Sequence, residues 1–249
     1  MTARLVRTEM EVPGTPEQVW EAIATGPGIA CWFVPAEVDG RVGGEIVTHH
    51  GPYGDSCGVV TAWEPPRRFA YEEREWADGA PPWATEIVVE ARSGGTCLVR
   101  LVSGLFSGGE DWGDEIDSSD AGWALGMENL QRYLTHFAGL RCSHALAVGV
   151  GGEGAWPGFA AALGVGGAAE GERVDGPLVS GVVERVLGEM VLLRDDHGIV
   201  EVYAHPGDGV THLVVRAYRY GDAGKAVAAR EEPALRAWMD EHVAAAAQA

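Results

Sequence analysis

Three carboxylates in strand-like segments, Glu45, Glu86 and Glu90, are the residues whose chemistry best suits acid–base catalysis. A carboxylate that is removed from water holds its proton more tightly, and its pKa then rises toward the range in which protons are exchanged at neutral pH. Most carboxylates on strands lie on the solvated face of a sheet, however. The sequence therefore leaves these residues as acid–base candidates, with a solvated surface position as the favoured alternative.

Histidines at two places could suggest a metal site. His49 and His50 lie near Cys57, but adjacent residues on a strand point to opposite faces, so the two histidines cannot easily share one ion. His205 and His212 flank a turn and could face each other across a hairpin, yet no third ligand is evident. We therefore expect no metal.

Motifs of nucleophilic and nucleotide-dependent enzymes are missing from the chain. The serines lack a G-x-S-x-G context, and the glycine-rich stretches at 151–152 and 164–167 lack the Lys-Ser/Thr end of a phosphate-binding loop. No G-x-G-x-x-G occurs between a strand and a helix, and the four cysteines form no C-x-x-C pair. We therefore expect no cofactor and leave open whether the protein is an enzyme.

The charge of the chain excludes several classes of partner. The formal net charge is −19, which repels phosphate backbones and anionic membrane surfaces, so we expect neither nucleic acid nor membrane as a partner. No apolar run is long enough to span a bilayer, and the N-terminus lacks the apolar stretch of a secretory signal. These features predict a cytoplasmic protein.

The first 140 residues predict an α+β domain. A strand at 4–12 is followed by a helix whose start, Thr15, Pro16 and Gln18, has a capping-box pattern. From residue 36 the apolar period switches to two, and turn signals separate six predicted strands at 36–39, 43–49, 56–64, 67–75, 83–92 and 96–103. A long helix is predicted at 114–138, with an apolar stripe formed by Trp123, Met127, Leu130, Leu134 and Phe137.

The second half echoes the first. A short helix is predicted at 155–163 and a final helix at 225–246, and between them lie predicted strands at 178–187, 189–194, 198–205 and 210–219. Gly181-Val182-Val183 matches Gly58-Val59-Val60, and Trp238 takes the place of Trp123 on the last helix. We interpret this as an internal repeat, with an unrelated α+β extension as the alternative.

Several motifs of the first half resemble the START-like superfamily, also called SRPBCC, and within it the branch similar to the C-terminal domain of the Hsp90 ATPase activator. These motifs are the segment Thr15 to Ile23, Trp32-Phe33-Val34-Pro35, Gly43-Gly44-Glu45, Gly58-Val59-Val60, the segment Trp63 to Phe69, and Gly122-Trp123. The resemblance is strong over 8–138 and partial over 144–246. It implies a helix-grip fold, in which an antiparallel sheet wraps around a long C-terminal helix, in a tandem of one full and one reduced copy.

This resemblance implies a complete helix-grip domain over 1–140 and a reduced second START-like domain over 141–249. The second copy is too short for all six strands, so we expect any cavity in it to be smaller. In the first domain we expect an apolar cavity that the side chains between sheet and helix leave unfilled. At it we place Trp32, Phe33, Trp76, Trp83, Phe106, Trp123 and Met127, with an ordinary core position as the alternative for each.

Three functions remain open from the sequence. The first is binding of an apolar or aromatic small molecule in the cavity without catalysis. The second is a polyketide cyclase-like or hydrolase-like enzyme in which Glu45 or Glu86 is the ionisable group. The third, implied by the resemblance to the Hsp90 activator, is a co-chaperone-like protein that binds a protein partner, and a homodimer is a further possibility.

Overall fold

The computed structural model describes residues 4–77, 79–105, 112–207 and 209–246, with the side chains of 113–115, 117–118 and 244–246 left undescribed. The chain divides into two units, Met1–Arg141 and Cys142–Ala249. Each unit has its own antiparallel sheet and its own long C-terminal helix. The predicted α+β class, with antiparallel sheets in a tandem arrangement, is confirmed.

The first unit contains a seven-stranded sheet in the order β1-β7-β6-β5-β4-β3-β2, antiparallel throughout. The strands are β1 (Arg4–Pro13), β2 (Ala36–Val38), β3 (Glu45–His49), β4 (Asp55–Glu64), β5 (Arg68–Glu73), β6 (Trp83–Ala91) and β7 (Thr96–Leu105). The helices are α1 (Pro16–Ala24), α2 (Gly26–Ile29) and α3 (Gly113–Arg132). The first strand therefore pairs with the last, and the other strands follow in reverse chain order.

Local sequence explains both ends of this unit. At the start of α1 the Gln18 amide donates to the Thr15 hydroxyl and the Thr15 amide donates to the Gln18 side chain, which is the predicted capping box. The stripe predicted on the last helix is buried as expected, from Trp123 to Phe137. The predicted helix at 114–138 is α-helical only to Arg132 and then passes into a π-helical turn, Tyr133–Phe137.

The second unit contains a six-stranded sheet in the order β8-β13-β12-β11-β10-β9. Its elements are β8 (Cys142–Gly151), α4 (Trp156–Ala162), β9 (Arg173–Asp175), β10 (Ser180–Val186), β11 (Met190–Arg194), β12 (Gly198–Pro206), β13 (Thr211–Tyr220) and α5 (Gly221–Ala246). The sequence interpretation missed β8 because its glycines weaken a strand signal. Gly149 in that strand has a packing reason, since a Cβ there would lie 2.8 Å from the Met239 Cγ on α5.

The two sheets can be aligned residue by residue. Gly58 in β4 and Gly181 in β10 each pass close to the neighbouring strand, where a Cβ would lie 3.0 Å from the Glu72 carbonyl oxygen and 2.6 Å from that of Arg194, respectively. In each sheet the pairing with the next strand shifts just beyond this glycine, between Val60 and Ala62 in β4 and between Val183 and Arg185 in β10. A β-bulge re-aims the chain at a fixed point of a sheet, so the shared bulge fixes the correspondence.

From this anchor the strand pairings carry the correspondence across both sheets. In the first unit Val60 pairs with Tyr71, Tyr71 with Thr85, and Thr85 with Ser103. In the second unit Val183 pairs with Leu193, Leu193 with Val200, and Val200 with Ala217. Tyr71, Thr85 and Ser103 thus correspond to Leu193, Val200 and Ala217. Two residues further along the strands, Glu73 and Leu105 correspond to Asp195 and Arg219.

Candidate ligand-binding site

A row of polar side chains crosses the helix-covered face of the first sheet. Tyr71, Thr85 and Ser103 lie side by side on β5, β6 and β7, and all three are buried. The Ser103 hydroxyl oxygen lies 2.8 Å from the Thr85 hydroxyl and accepts the Trp83 indole N–H at 2.8 Å. Burial, and next the charge of Glu73, raise the pKa of Tyr71, while a hydrogen bond with Thr85 lowers it. The interior of the first unit therefore offers neutral hydroxyl groups at one place.

Aromatic side chains close the space between this row and α3. Phe33 stacks on Trp123 with ring centroids 4.8 Å apart and an angle of 17° between the rings. The edge of His50 meets Phe33, and the His50 Nε2 lies 3.0 Å from the hydroxyl of the buried Thr48. Trp32 is fixed beside them, because its indole N–H donates to the Ala22 carbonyl at 2.9 Å.

The space left beside this aromatic group has a volume of about 10 Å³, which admits at most one water molecule. Its lining is apolar apart from two hydroxyl-bearing side chains and consists of Ile23, Ile29, Trp32, Phe33, Ile46, Thr48, Phe69, Tyr71, Ile87 and Trp123. In this structure the expected cavity is reduced to this residual space. The stacked pair of Phe33 and Trp123 lines this space on one side.

The residues predicted for the site separate into two groups. Trp32, Phe33 and Trp123 line the residual space. Trp83 lies two residues from Thr85 on β6, toward the end of the sheet, and Trp76 packs against Trp83 with ring centroids 5.3 Å apart. Met127 is a buried core residue of α3 that does not line the residual space, and Phe106 lies outside the described residues.

The carboxylates nominated for catalysis face away from the helix. Glu45 is exposed, on the opposite face from Ile46. Glu86 accepts the Arg68 Nε–H at 2.6 Å on the outer face, and Glu90 pairs there with Arg100. Glu45 and Glu86 therefore occupy the solvated positions that the sequence favoured, and neither is a buried acid–base group, because both side chains alternate outward on their strands.

Glu73 is the inward carboxylate that the sequence interpretation missed. It ends β5 on the same face as Tyr71, and it accepts a hydrogen bond from the Ser56 hydroxyl. Burial raises the pKa of Glu73, and the hydrogen bond from Ser56 partly opposes this change. The sequence did contain a signal for this inward position. Phe69, Tyr71 and Glu73 alternate along β5 and share one face, and the first two are aromatic residues typical of a core.

The histidines behave largely as their positions predicted. His49 faces outward and pairs with Asp55 at 2.9 Å, whereas His50 turns to Thr48. His205 and His212 do face each other across the hairpin, with stacked rings 4.8 Å apart. Within the described part of the chain, no three His, Cys, Asp or Glu side chains are grouped closely enough to hold a metal ion.

The second unit has a depression on its surface. An open groove of about 280 Å³ follows α5 and is lined by Leu178, Val227, Arg230, Glu231, Ala234 and Leu235. Beneath α4 and α5 lies a cluster of buried hydrophobic side chains, among them Leu193, Val200 and Val215. At the end of the sheet, however, Arg219 donates to Asp195 at 2.7 Å and, through two nitrogens, to Glu231 at 2.7 Å each.

Comparison with known proteins identifies the first unit. Residues 13–135 match the model of the family described as activator of Hsp90 ATPase homolog 1-like protein. The first unit is a domain of that family. The resemblance that the sequence motifs indicated is thereby confirmed over this part of the chain. Among curated proteins, no sequence matches this chain.

Solved structures give the following similarities. Protein MLL2253 from Mesorhizobium loti is 20% identical with a TM-score of 0.49, over 54% of this chain and 98% of its own. The Aha1 dimer from Colwellia psychrerythraea is 18% identical with a TM-score of 0.44, and the match covers 53% of this chain and 96% of the Aha1 chain. DynU16, a protein in the dynemicin biosynthetic locus, is 17% identical with a TM-score of 0.46, and the match covers 96% of this chain and 97% of the DynU16 chain.

The helices give one further result. None of those in the described residues is both long and apolar enough to cross a membrane.

Proposed function

We propose that the first unit binds an aromatic or apolar small molecule that carries a hydrogen-bonding group, between its sheet and α3. The aromatic part of the ligand takes the place of the Phe33 ring against Trp123. Its polar group reaches the hydroxyl groups of Tyr71 and Thr48, which line the same residual space. No covalent step is part of this proposal.

The observation that carries the proposal is the polar row of Tyr71, Thr85 and Ser103. A buried hydroxyl group costs free energy unless it is hydrogen-bonded, and a core that serves only packing has no need of it. The second unit supports this argument, because the same three places hold Leu193, Val200 and Ala217. The fold itself therefore does not require the row, and recognition of a polar ligand group supplies a reason for it.

Access to the row depends on Phe33. Its side chain is only partly buried, whereas Trp32 and Trp123 are buried, so Phe33 is the member of the group that can move at the smallest cost. Rotation of an exposed or half-exposed side chain is fast compared with binding. The residual volume of about 10 Å³ then becomes the inner end of a larger pocket.

Binding of two probes by the full-length chain tests this function. 2-Naphthol and naphthalene differ by one hydroxyl group, and equilibrium dialysis gives both affinities. We expect 2-naphthol to bind more tightly, and Tyr71→Phe to weaken its binding about three- to tenfold, the value of one buried hydrogen bond. Naphthalene binding should not change in this variant.

Tyr53→Phe is the matched control, because it removes the same hydroxyl group from an exposed side chain of the same unit. It should leave both affinities unchanged. Absence of binding of either probe, or equal effects of the two tyrosine variants, would refute the proposed function.

A further inference from the structure

Glu73 is a strand glutamate of the first unit that points to the inner face of the sheet and, in the described part of the chain, has no positive partner. Glu86 and Glu90 on the outer face pair with Arg68 and Arg100. Among the residues that the structure describes, no Lys, Arg or His forms an ion pair with Glu73, and its hydrogen-bond donor is the neutral Ser56 hydroxyl. A half-buried carboxylate without a cation is costly, so its presence requires an explanation.

The second unit shows how the same place is neutralised when the chain itself supplies the charge. Asp195 corresponds to Glu73, and its carboxylate receives the Arg219 guanidinium at 2.7 Å. Arg219 in turn corresponds to Leu105, which pairs with Trp83 at the end of the first sheet. The first unit therefore keeps the carboxylate of this arrangement and has an apolar side chain in place of its cation.

The surroundings of Glu73 suit an organic cation. Trp83 stands directly opposite Glu73 on the neighbouring strand, and Trp76 packs against Trp83. Indole rings attract cations through their electron-rich faces, and a carboxylate beside them adds a direct charge interaction. Gly58 leaves room for the carboxylate, since a Cβ there would lie 3.3 Å from the Glu73 Cγ.

The whole chain favours the same class of molecule. Its formal net charge of −19 raises the local concentration of cations and repels anions. Glu73 follows Tyr71 by two residues on one face of β5, a distance of about 6–7 Å along the strand. A ring held beside Tyr71 therefore brings a nitrogen on a short alkyl arm to the Glu73 carboxylate.

We propose that the ligand of the first unit is an arylalkylamine, and that Glu73 determines this specificity by pairing with its ammonium group. The ligand nitrogen supplies the positive charge that Arg219 supplies in the second unit. This inference rests on the proposed function, because it names the class of molecule that the same site accepts. Glu73 ionises on pairing, so binding of the amine releases any proton that the buried carboxyl holds.

A matched pair of probes tests the role of Glu73 in the full-length chain. 2-(2-Naphthyl)ethylamine and 2-(2-naphthyl)ethanol differ mainly in charge, and isothermal titration calorimetry measures both. We expect the amine to bind at least tenfold more tightly than the alcohol. Glu73→Gln should abolish this difference while the alcohol affinity stays the same. Titrations in buffers of different ionisation enthalpy should show proton release on amine binding, and none in Glu73→Gln.

Glu72→Gln is the control, because Glu72 is the adjacent residue on the opposite face of β5 and pairs with Arg74. It should leave the preference for the amine intact. If the alcohol binds as tightly as the amine, and Glu73→Gln changes neither, the role of Glu73 is wrong although the proposed function stands. If neither probe binds, the proposed function fails with it.

Discussion

The two units share one strand order and one bulge, yet they fill the helix-covered face of the sheet differently. The first places Tyr71, Thr85 and Ser103 in a row where the second places aliphatic side chains. The second closes the end of its sheet with an ion pair of Arg219, whereas the first leaves a carboxylate there without a cation. One topology thus accepts either polar or aliphatic side chains at these places, and the difference between the copies marks the residues that the fold does not need.

The largest expected effect comes from removing the cation of the second unit. Arg219→Leu leaves Asp195 and Glu231 without their shared partner, whose side chain is 3% exposed. We expect the free energy of unfolding, measured by urea denaturation, to fall by about 3 kcal/mol. This value is at the lower end of the free-energy loss typical of breaking a buried ion pair, because the Asp195 and Glu231 side chains are 21% and 24% exposed.

Arg236→Leu provides the comparison, because Arg236 lies on α5, the helix that also carries Glu231. Arg236 pairs with Glu232, but its side chain is 63% exposed, so the loss should be under about 1 kcal/mol. Equal losses in the two arginine variants would show that Arg219 does not neutralise the end of the second sheet in the way described.

A smaller loss is expected when the polar row is converted to the pattern of the second unit. Ser103→Ala introduces the side chain found at the corresponding Ala217, but it leaves the Trp83 indole N–H without its acceptor. We expect a loss of about 2 kcal/mol in urea denaturation, the cost of one unsatisfied buried group. Ser93→Ala, in an exposed turn, should have no effect. A neutral Ser103→Ala would mean that the row is not a connected network.

The smallest effect concerns the pH dependence of stability. Because burial raises the pKa of Glu73 in the folded state, its contribution is fully present below the pKa of an unfolded carboxyl group and is lost as pH rises through the folded pKa. Glu73→Gln lacks this loss. The difference in Tm between the variant and the unaltered chain should therefore increase in favour of the variant as pH rises from 4 to 7. A constant difference would contradict the buried setting of Glu73.

Local signals in the sequence predicted much of this architecture. The capping box at Thr15, the alternating strands and the stripe from Trp123 to Phe137 depend on residues close together in the chain, and they were read correctly. Which face of the sheet a strand residue points to also follows from the alternation of neighbouring residues in the sequence. The pattern of Phe69, Tyr71 and Glu73 could have replaced the nomination of Glu45 and Glu86 with the inward carboxylate.

The rest depends on contacts between residues that are far apart in the chain. The stacking of Phe33 on Trp123, which lines the residual space, is set by the approach of α3 to the segment after α2, and no local pattern encodes it. The pairing of Arg219 with Asp195 and Glu231 likewise requires the sheet register. The correspondence of Glu73 with Asp195 became visible only when the two sheets were aligned through their bulges.

The most direct test of a ligand site in the first unit is NMR of the isoleucine methyl groups during titration of 2-(2-naphthyl)ethylamine. Four of the isoleucines, Ile23, Ile29, Ile46 and Ile87, line the residual space, whereas Ile199 belongs to the second unit. We predict saturable shifts at these four methyl groups and none at Ile199. Shifts confined to Ile199, or no shifts at all, would contradict a site between the first sheet and α3.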